Sequence, residues 1–118
     1  MAAPVGPYTP AVRAGAFLVC SGQIGIEAGL SGPVLADGLA AQTRQAMVNV
    51  AQLLADHGLD WKHVVKTTVY LTDIAGYDAF NPVYVEQLGD HRPARSLVAV
   101  AGLPLGALVE IEAWAYAG

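Results

Sequence analysis

The spacing of apolar and polar positions changes several times along the chain, and each change marks an element. Ala16, Phe17, Leu18, Val19 and Cys20 form an apolar run bounded by Gly15 and Gly22. The run is too short for a stable helix, so residues 16–21 read as a buried strand. From Ile24 to Gly38 periodicity lapses among four glycines and a proline, which predicts a loop or irregular excursion over the surface. Between Leu39 and His57 the positions Leu39, Thr43, Ala46, Met47, Val50, Leu53 and Leu54 recur at three- and four-residue spacing. Gln42, Arg44, Gln45, Asn49, Gln52 and Asp56 fall on the other side. This pattern predicts an amphipathic helix, with Asp37 capping its start and Gly58 ending it in a left-handed conformation.

Val64–Leu71 is rich in β-branched and aromatic residues, and predicts a central strand with Val65, Thr67, Val69 and Leu71 on one face. Tyr77, Phe80, Tyr84 and Leu88 mark a second, shorter helix. Pro82 has no backbone N–H to donate, so this helix is expected to begin between Asp78 and Asn81. Two further strands, Ser96–Val100 and Ala107–Tyr116, flank a turn over Gly102–Gly106 that contains Pro104, and are expected to pair as a hairpin. The order strand, helix, strand, helix, strand, strand predicts an α+β fold, with two helices packed on one face of a mixed β-sheet. No repeat or linker interrupts it, so residues 1–118 read as a single domain. The opposite face of the sheet then needs a cover, and neighbouring copies of the chain are the economical candidate.

Composition sharpens that last point. Hydrophobic residues make up 54% of the 118 positions and charged residues 14%, against a usual charged share of about 25%. That much apolar surface on a small chain points to a subunit interface. The net charge is −4 and the six Lys and Arg are scattered, which makes nucleic acid an unlikely partner. Cys20 is the one cysteine, so no internal disulfide forms, as suits a reducing compartment. Met1–Pro10 offers no positive charge ahead of an apolar run, and no stretch reaches the length of a membrane span. A cytoplasmic protein with no membrane partner is expected.

The chain has no glycine-rich dinucleotide loop, no phosphate loop, no nucleophile motif and no Cys or His pairs at ligand spacing, so neither cofactor nor metal is expected. His57, His63 and His91 read as surface residues. Cys20 reads as a buried thiol, and Trp61 and Trp114 as core or interface aromatics. Two residues resist so plain a reading. Arg95 precedes a strand, where its planar guanidinium suits bidentate capture of a carboxylate. Glu110 lies amid Leu108, Val109 and Ile111, where an acid must be paired or partly protonated. From the pattern alone, each is equally well explained as half of a structural ion pair.

Longer stretches carry more. These are Gly6-Pro7-Tyr8, Ser21-Gly22-Gln23-Ile24, the helix with Gln42 and Asn49, and Val64 through Asp73. Asn81 with Tyr84, Pro93-Ala94-Arg95-Ser96, Leu103-Pro104 and Val109-Glu110-Ile111-Glu112 complete the set. Together and in this order they resemble the RidA/YjgF family, the reactive intermediate deaminases. The resemblance implies a chorismate-mutase-like α+β protomer that assembles as a homotrimer, with active sites at the subunit boundaries. It implies hydrolysis of reactive 2-imino and enamine acids to 2-keto acids and ammonia, without cofactor. Arg95 would bind the substrate carboxylate and Glu110 would hold the hydrolytic water. Tyr8, Ser21, Gly22, Asn81 and Leu97 would line the cleft. Two features depart from the family pattern: Leu97 stands where cysteine is frequent, and the segment Val85–Arg92 is short and lacks paired phenylalanines. Alternative activities are a pathway-specific aminoacrylate or aminomuconate deaminase, an endoribonuclease or translation inhibitor, and a trimeric metabolite-binding module without turnover.

Overall fold

The computed structural model describes Pro4, residues 6–29 and residues 32–118. Its strands are β1 (Ala11–Ala14), β2 (Phe17–Ile24), β3 (Ile26–Gly29), β4 (Gly32–Leu35), β5 (Val64–Leu71), β6 (Ala94–Ala99) and β7 (Val109–Tyr116). The helices are α1 (Leu39–Asp56) and α2 (Tyr77–Leu88). Five strands form one sheet in the order β1-β2-β7-β5-β6, while β3 and β4 pair separately. Strand β7 runs antiparallel to both β2 and β5, and β6 runs parallel to β5. The sheet is therefore mixed.

Both helices pack on one face. Ala46 and Met47 of α1 meet Phe80, Tyr84 and Leu88 of α2 over Val69, Leu71, Val109 and Ile111. Val50, Leu53 and Leu54 cover Leu18, Cys20, Val64, Ala113 and Ala115. Burial pushes the Cys20 thiol up to about 11, in keeping with an unreactive core thiol.

Several expectations need correction. The last two strands do not form a hairpin, because β5 lies between them. In β7, Val109, Ile111, Ala113 and Ala115 are all fully buried, and such a strand belongs at the centre of a sheet. Strand β6 leaves Ala94, Ser96, Val98 and Ala99 exposed and takes the edge. The intervening segment passes the end of β5, where Val100 N–H donates to Leu71 O (2.8 Å) and Thr72 N–H to Leu108 O (3.2 Å). The excursion between Ile24 and Gly38 contains the β3–β4 hairpin, and β1 precedes the first expected strand. A register shift between Val64 and Lys66 buries Val64 and turns Val65 outward, so Val65 does not share the face of Thr67.

The two helices begin differently from expectation. Gly38, not Asp37, is the N-cap of α1, at φ 86 and with no side-chain capping bond. Helix α2 starts at Tyr77 and carries Pro82 inside it. Both Asp78 and Pro82 are exposed, so water can satisfy the Asp78 carbonyl that the proline cannot bond. The other end of α1 is as expected. Gly58 has φ 74, with Gly58 N–H donating to Ala55 O (3.0 Å) and Leu59 N–H to Leu54 O (2.9 Å), the paired bonds of a left-handed helix stop.

The polar side of α1 is also not all solvent-facing. Gln42 and Asn49 are 5% and 4% exposed. Gln42 Oε1 accepts from Leu108 N–H (2.8 Å), ahead of β7. Asn49 Nδ2 donates to the carbonyls of Ile24 (3.2 Å) and Ile26 (2.8 Å), at the bend between β2 and β3. Buried amides are tolerated when their hydrogen bonds are made, and here they tie the helix to two strand ends.

Candidate functional site

The resemblance-derived residues fall into two groups on opposite faces of the sheet. Register shows why. Thr67, Val69 and Leu71 of β5 face the helices, and in the parallel β5–β6 pairing Thr67 stands opposite Arg95 and Val69 opposite Leu97. Arg95 and Leu97 therefore lie on the helix side of the edge strand. In the antiparallel pairing Tyr70 stands opposite Glu110 and Thr68 opposite Glu112. Those four occupy the other face, which no helix covers.

On the helix side, Arg95 Nη1 donates to Asn81 Oδ1 (3.0 Å) and Nη2 to Tyr77 O–H (3.3 Å). The guanidinium carbon lies 5.0 Å from the centre of the Tyr84 ring, 5.7 Å from Tyr77 and 5.9 Å from Phe80. Asn81 and Tyr77 are one helical turn apart and reach the same cation. Tyr84 is itself anchored by a hydrogen bond to Thr67 Oγ1 (2.7 Å). Leu97 packs partly buried against the core. Among the described residues the ion pairs are Arg44–Glu86 and His63–Asp60, so Arg95 is held by neutral groups and faces no carboxylate. A guanidinium fixed in this way has donors left for an incoming anion.

On the open face, a register shift between Cys20 and Gln23 brings Gly22 beside Glu110. A Cβ on Gly22 would fall inside the Glu110 carboxylate, so only glycine permits this approach. Ser21 Oγ donates to Thr9 O (2.6 Å) and Ser21 N–H to Pro10 O (2.8 Å), drawing the N-terminal segment with Tyr8 alongside. Tyr70 O–H donates to Glu112 Oε1. Burial, and then the charge of Glu112, raise the proton affinity of Glu110 above the ordinary glutamate range. Tyr70 is pushed up to about 12, first by its bond to Glu112, then by burial and the charges of Glu112 and Glu110. Neither Arg95 nor Glu110 is half of an ion pair among the described residues.

Tyr77, Phe80 and Tyr84 did not stand out as functional in the sequence, because their spacing is that of a helix's apolar stripe. The signal was present in Tyr77 and Asn81, two polar-tipped residues four apart on one side of α2. No group of three or more His, Cys, Asp or Glu able to hold a metal ion occurs among the described residues. No helix among them is long and apolar enough to cross a membrane.

An edge-strand arginine braced by a helix, backed by a sheet whose open face carries a half-buried acid, describes a small α+β protein whose arginine has no carboxylate partner among the described residues. The chain belongs to the endoribonuclease L-PSP family, whose model matches residues 1–117, the same family as the RidA/YjgF proteins. It is 40% identical over 114 residues to the human 2-iminobutanoate/2-iminopropanoate deaminase, covering 97% of this chain and 82% of that protein. It is 42% identical over 113 residues to a RutC family protein of Pyrococcus horikoshii, covering 96% and 89%. Among solved structures, RidA from an Antarctic Psychrobacter superposes with a TM-score of 0.90 at 37% identity, covering 98% and 92% of the two chains. E. coli TdcF with bound serine superposes with a TM-score of 0.89 at 30% identity, covering 99% and 93%.

Proposed function

We propose that this protein hydrolyses 2-imino acids, such as 2-iminobutanoate and 2-iminopropanoate, to 2-keto acids and ammonia, in a site shared between two protomers of a homotrimer. One observation carries the reading: Arg95 is held by Asn81 and Tyr77 with no carboxylate partner of its own. The human relative supplies the activity by name, and the serine in the TdcF structure is a small molecule with the kind of carboxylate Arg95 would take.

Assembly follows from the division of the site. Arg95, Asn81 and Leu97 lie on one face, while on the other lie Glu110, two strands from β6, and Ser21 and Gly22, three strands from it. Neighbouring strands are about 4.8 Å apart, so a small acid cannot bridge the two groups through the sheet of one protomer. Two adjacent copies bring them together if the helix-side edge of one meets the open face of the next. That open face carries Val12, Phe17, Val98, Trp114 and Tyr116, which are 37–51% exposed, an apolar surface of the sort that subunits cover.

In this reading Arg95 grips the substrate carboxylate with two charge-assisted hydrogen bonds. Ser21, Gly22, Leu97 and Tyr8 shape the cleft around it. Glu110 orients a water against the electrophilic imine carbon and takes its proton. The oxygen–carbon bond forms as the C=N electrons of the protonated imine pass to nitrogen, giving a neutral carbinolamine. Glu110 then returns its proton to the amine nitrogen, the C–N bond breaks to release ammonia, and the hydroxyl proton passes to solvent as the C=O bond forms. The raised proton affinity of Glu110 suits a group that must both accept and return a proton. A cytoplasmic location goes with this reading, although a Schizosaccharomyces pombe relative, 39% identical over 110 residues, is named as mitochondrial.

The test is ammonia and keto-acid release from imines generated in place by an amino-acid oxidase acting on alanine or 2-aminobutyrate. Wild-type protein should accelerate release and Arg95→Ala should not; an unaffected Arg95→Ala overturns the reading. A second activity, cleavage of RNA, is favoured by the description of the family model alone. The net charge of −4 opposes it, since RNA binding draws on cations along the backbone.

A further inference from the structure

The open face of the sheet carries a second acid that the proposed reaction does not use. Glu112 lies two residues beyond Glu110 on β7, so the two side chains stand on the same face. Tyr70 stands directly opposite Glu110 in the β5–β7 register, yet its hydroxyl reaches diagonally along the strand to Glu112 Oε1. The diagonal neighbour across an antiparallel pair is within reach of a long aromatic side chain. Gly22 closes the other flank of Glu110, since the carboxylate occupies the space where a side chain on that residue would begin. Glu110 is thus confined between β2 and a Tyr70–Glu112 pair.

We infer that Tyr70 and Glu112 act together as positioning residues for Glu110: the tyrosine hydroxyl holds the Glu112 carboxyl group on the same face of β7, so that a second acid stands beside Glu110 and adds to the effect of its burial. This deepens the proposed function and rests on it for its role in catalysis, but the electrostatic device itself does not. Two like charges on one face disfavour simultaneous ionisation, so the acid with no donor of its own takes up the proton first. Glu112 has its donor in Tyr70. Among the described residues no side chain donates to Glu110, which is half-buried, and both its burial and the charge of Glu112 act to raise its proton affinity.

Within the protomer few other charges bear on Glu110, and in the proposed assembly the Arg95 of a neighbouring copy faces it as well. On β5 the remaining charge is Lys66, at the far end of the strand, where Nζ donates to Ser96 Oγ (2.8 Å). On β2 the neighbours Ser21, Gly22 and Gln23 carry no titratable group. Among the described residues of the N-terminal segment beside Ser21 the titratable side chain is the Tyr8 phenol.

Carbon-detected NMR titration of glutamate side chains, on the intact assembly labelled at the glutamate carboxyl carbons, tests this without relying on turnover. In wild-type protein the Glu110 midpoint should lie above the ordinary glutamate range. Glu112→Gln, which keeps the shape and removes the charge, should move the Glu110 midpoint to lower pH. An unmoved midpoint overturns the inference. Tyr70→Phe, which keeps the ring and removes the donor, should release the Glu112 carboxyl group and move the Glu110 midpoint toward lower pH; an unmoved Glu110 midpoint overturns the part assigned to tyrosine. Where imine hydrolysis is present, the acidic limb of its kcat/KM profile should move with Glu110 in Glu112→Gln. Shifted midpoints in a protein that hydrolyses no imine would leave the pair standing and remove the proposed reaction.

Discussion

The two faces of the sheet are made by the same strands, residue alternating with residue, and they answer to different demands. Toward the helices, β7 presents Val109, Ile111, Ala113 and Ala115, each fully buried. Away from them it presents Glu110, Glu112, Trp114 and Tyr116, with Trp114 and Tyr116 43% and 45% exposed. The first face is finished within one chain: α1 and α2 cover it, and its polar groups, Gln42, Asn49 and Thr67, all have partners. The second face combines a half-buried acid, a tyrosine–glutamate pair and a patch of aromatics in which Phe17 lies 5.1 Å from Tyr116 and 6.1 Å from Trp114, centre to centre. A face of that composition does not serve the stability of an isolated protomer. It is the face that the proposed neighbouring protomer would cover.

The comparison breaks most visibly if the two halves of the candidate site work within one protomer. Arg95→Ala should lower kcat/KM by roughly 10²-fold or more, from the loss of charge-assisted hydrogen bonds of about 1.5–3 kcal/mol each. Glu110→Gln should be similarly impaired. Co-assembly of the two inactive variants should restore activity, to about a quarter of wild type for random mixing in a cyclic assembly. No restoration in proven mixed oligomers would mean that each site lies within one chain.

Stability should separate the faces next. Leu54→Ala removes a fully buried side chain from the helix-covered core and should cost about 2–5 kcal/mol by denaturant unfolding. Trp114→Ala on the open face should leave the protomer's own packing nearly intact and instead shift sedimentation toward smaller species. Comparable losses in both variants, with no change in assembly, would erase the distinction. Asn49→Ala leaves the buried carbonyls of Ile24 and Ile26 without their donor, and a cost of about 1–3 kcal/mol is expected.

The smallest effect concerns Glu110 itself. Its folded-state proton affinity is raised, so its contribution to stability is fully present below the ordinary glutamate pKa and is lost as pH rises through the higher folded value. At neutral pH the ionised side chain is therefore a modest liability. Glu110→Gln should be slightly more stable than wild type at pH 7, with the gain vanishing in acid, even as activity falls. A variant that is less stable at neutral pH would show that the carboxylate is held by compensating bonds.

Much of this was legible before any coordinates. The apolar stripe of α1, the strand at Val64–Leu71, the left-handed stop at Gly58 and the α+β class all follow from local spacing, because periodicity and glycine conformation are properties of neighbouring residues. The motif residues around Arg95 and Glu110 were legible by resemblance. Long-range pairing was not. Nothing local to β6 and β7 reveals that β5 separates them, and the expected hairpin failed for that reason. Gln42 and Asn49 looked solvent-facing because a sequence shows polarity, while their burial depends on strand ends brought in from elsewhere in the chain.

The division between sequence and tertiary structure is sharpest at the candidate site. The sequence by itself determined which groups are available, an arginine ahead of a strand and two acids in alternate positions of another, since strand periodicity assigns both acids to one face. Only the tertiary structure decided that Arg95 faces the helices while Glu110 faces away, and that Tyr70 reaches Glu112. Those relations depend on strand order and register, which are set by how whole elements pack rather than by the residues that adjoin them.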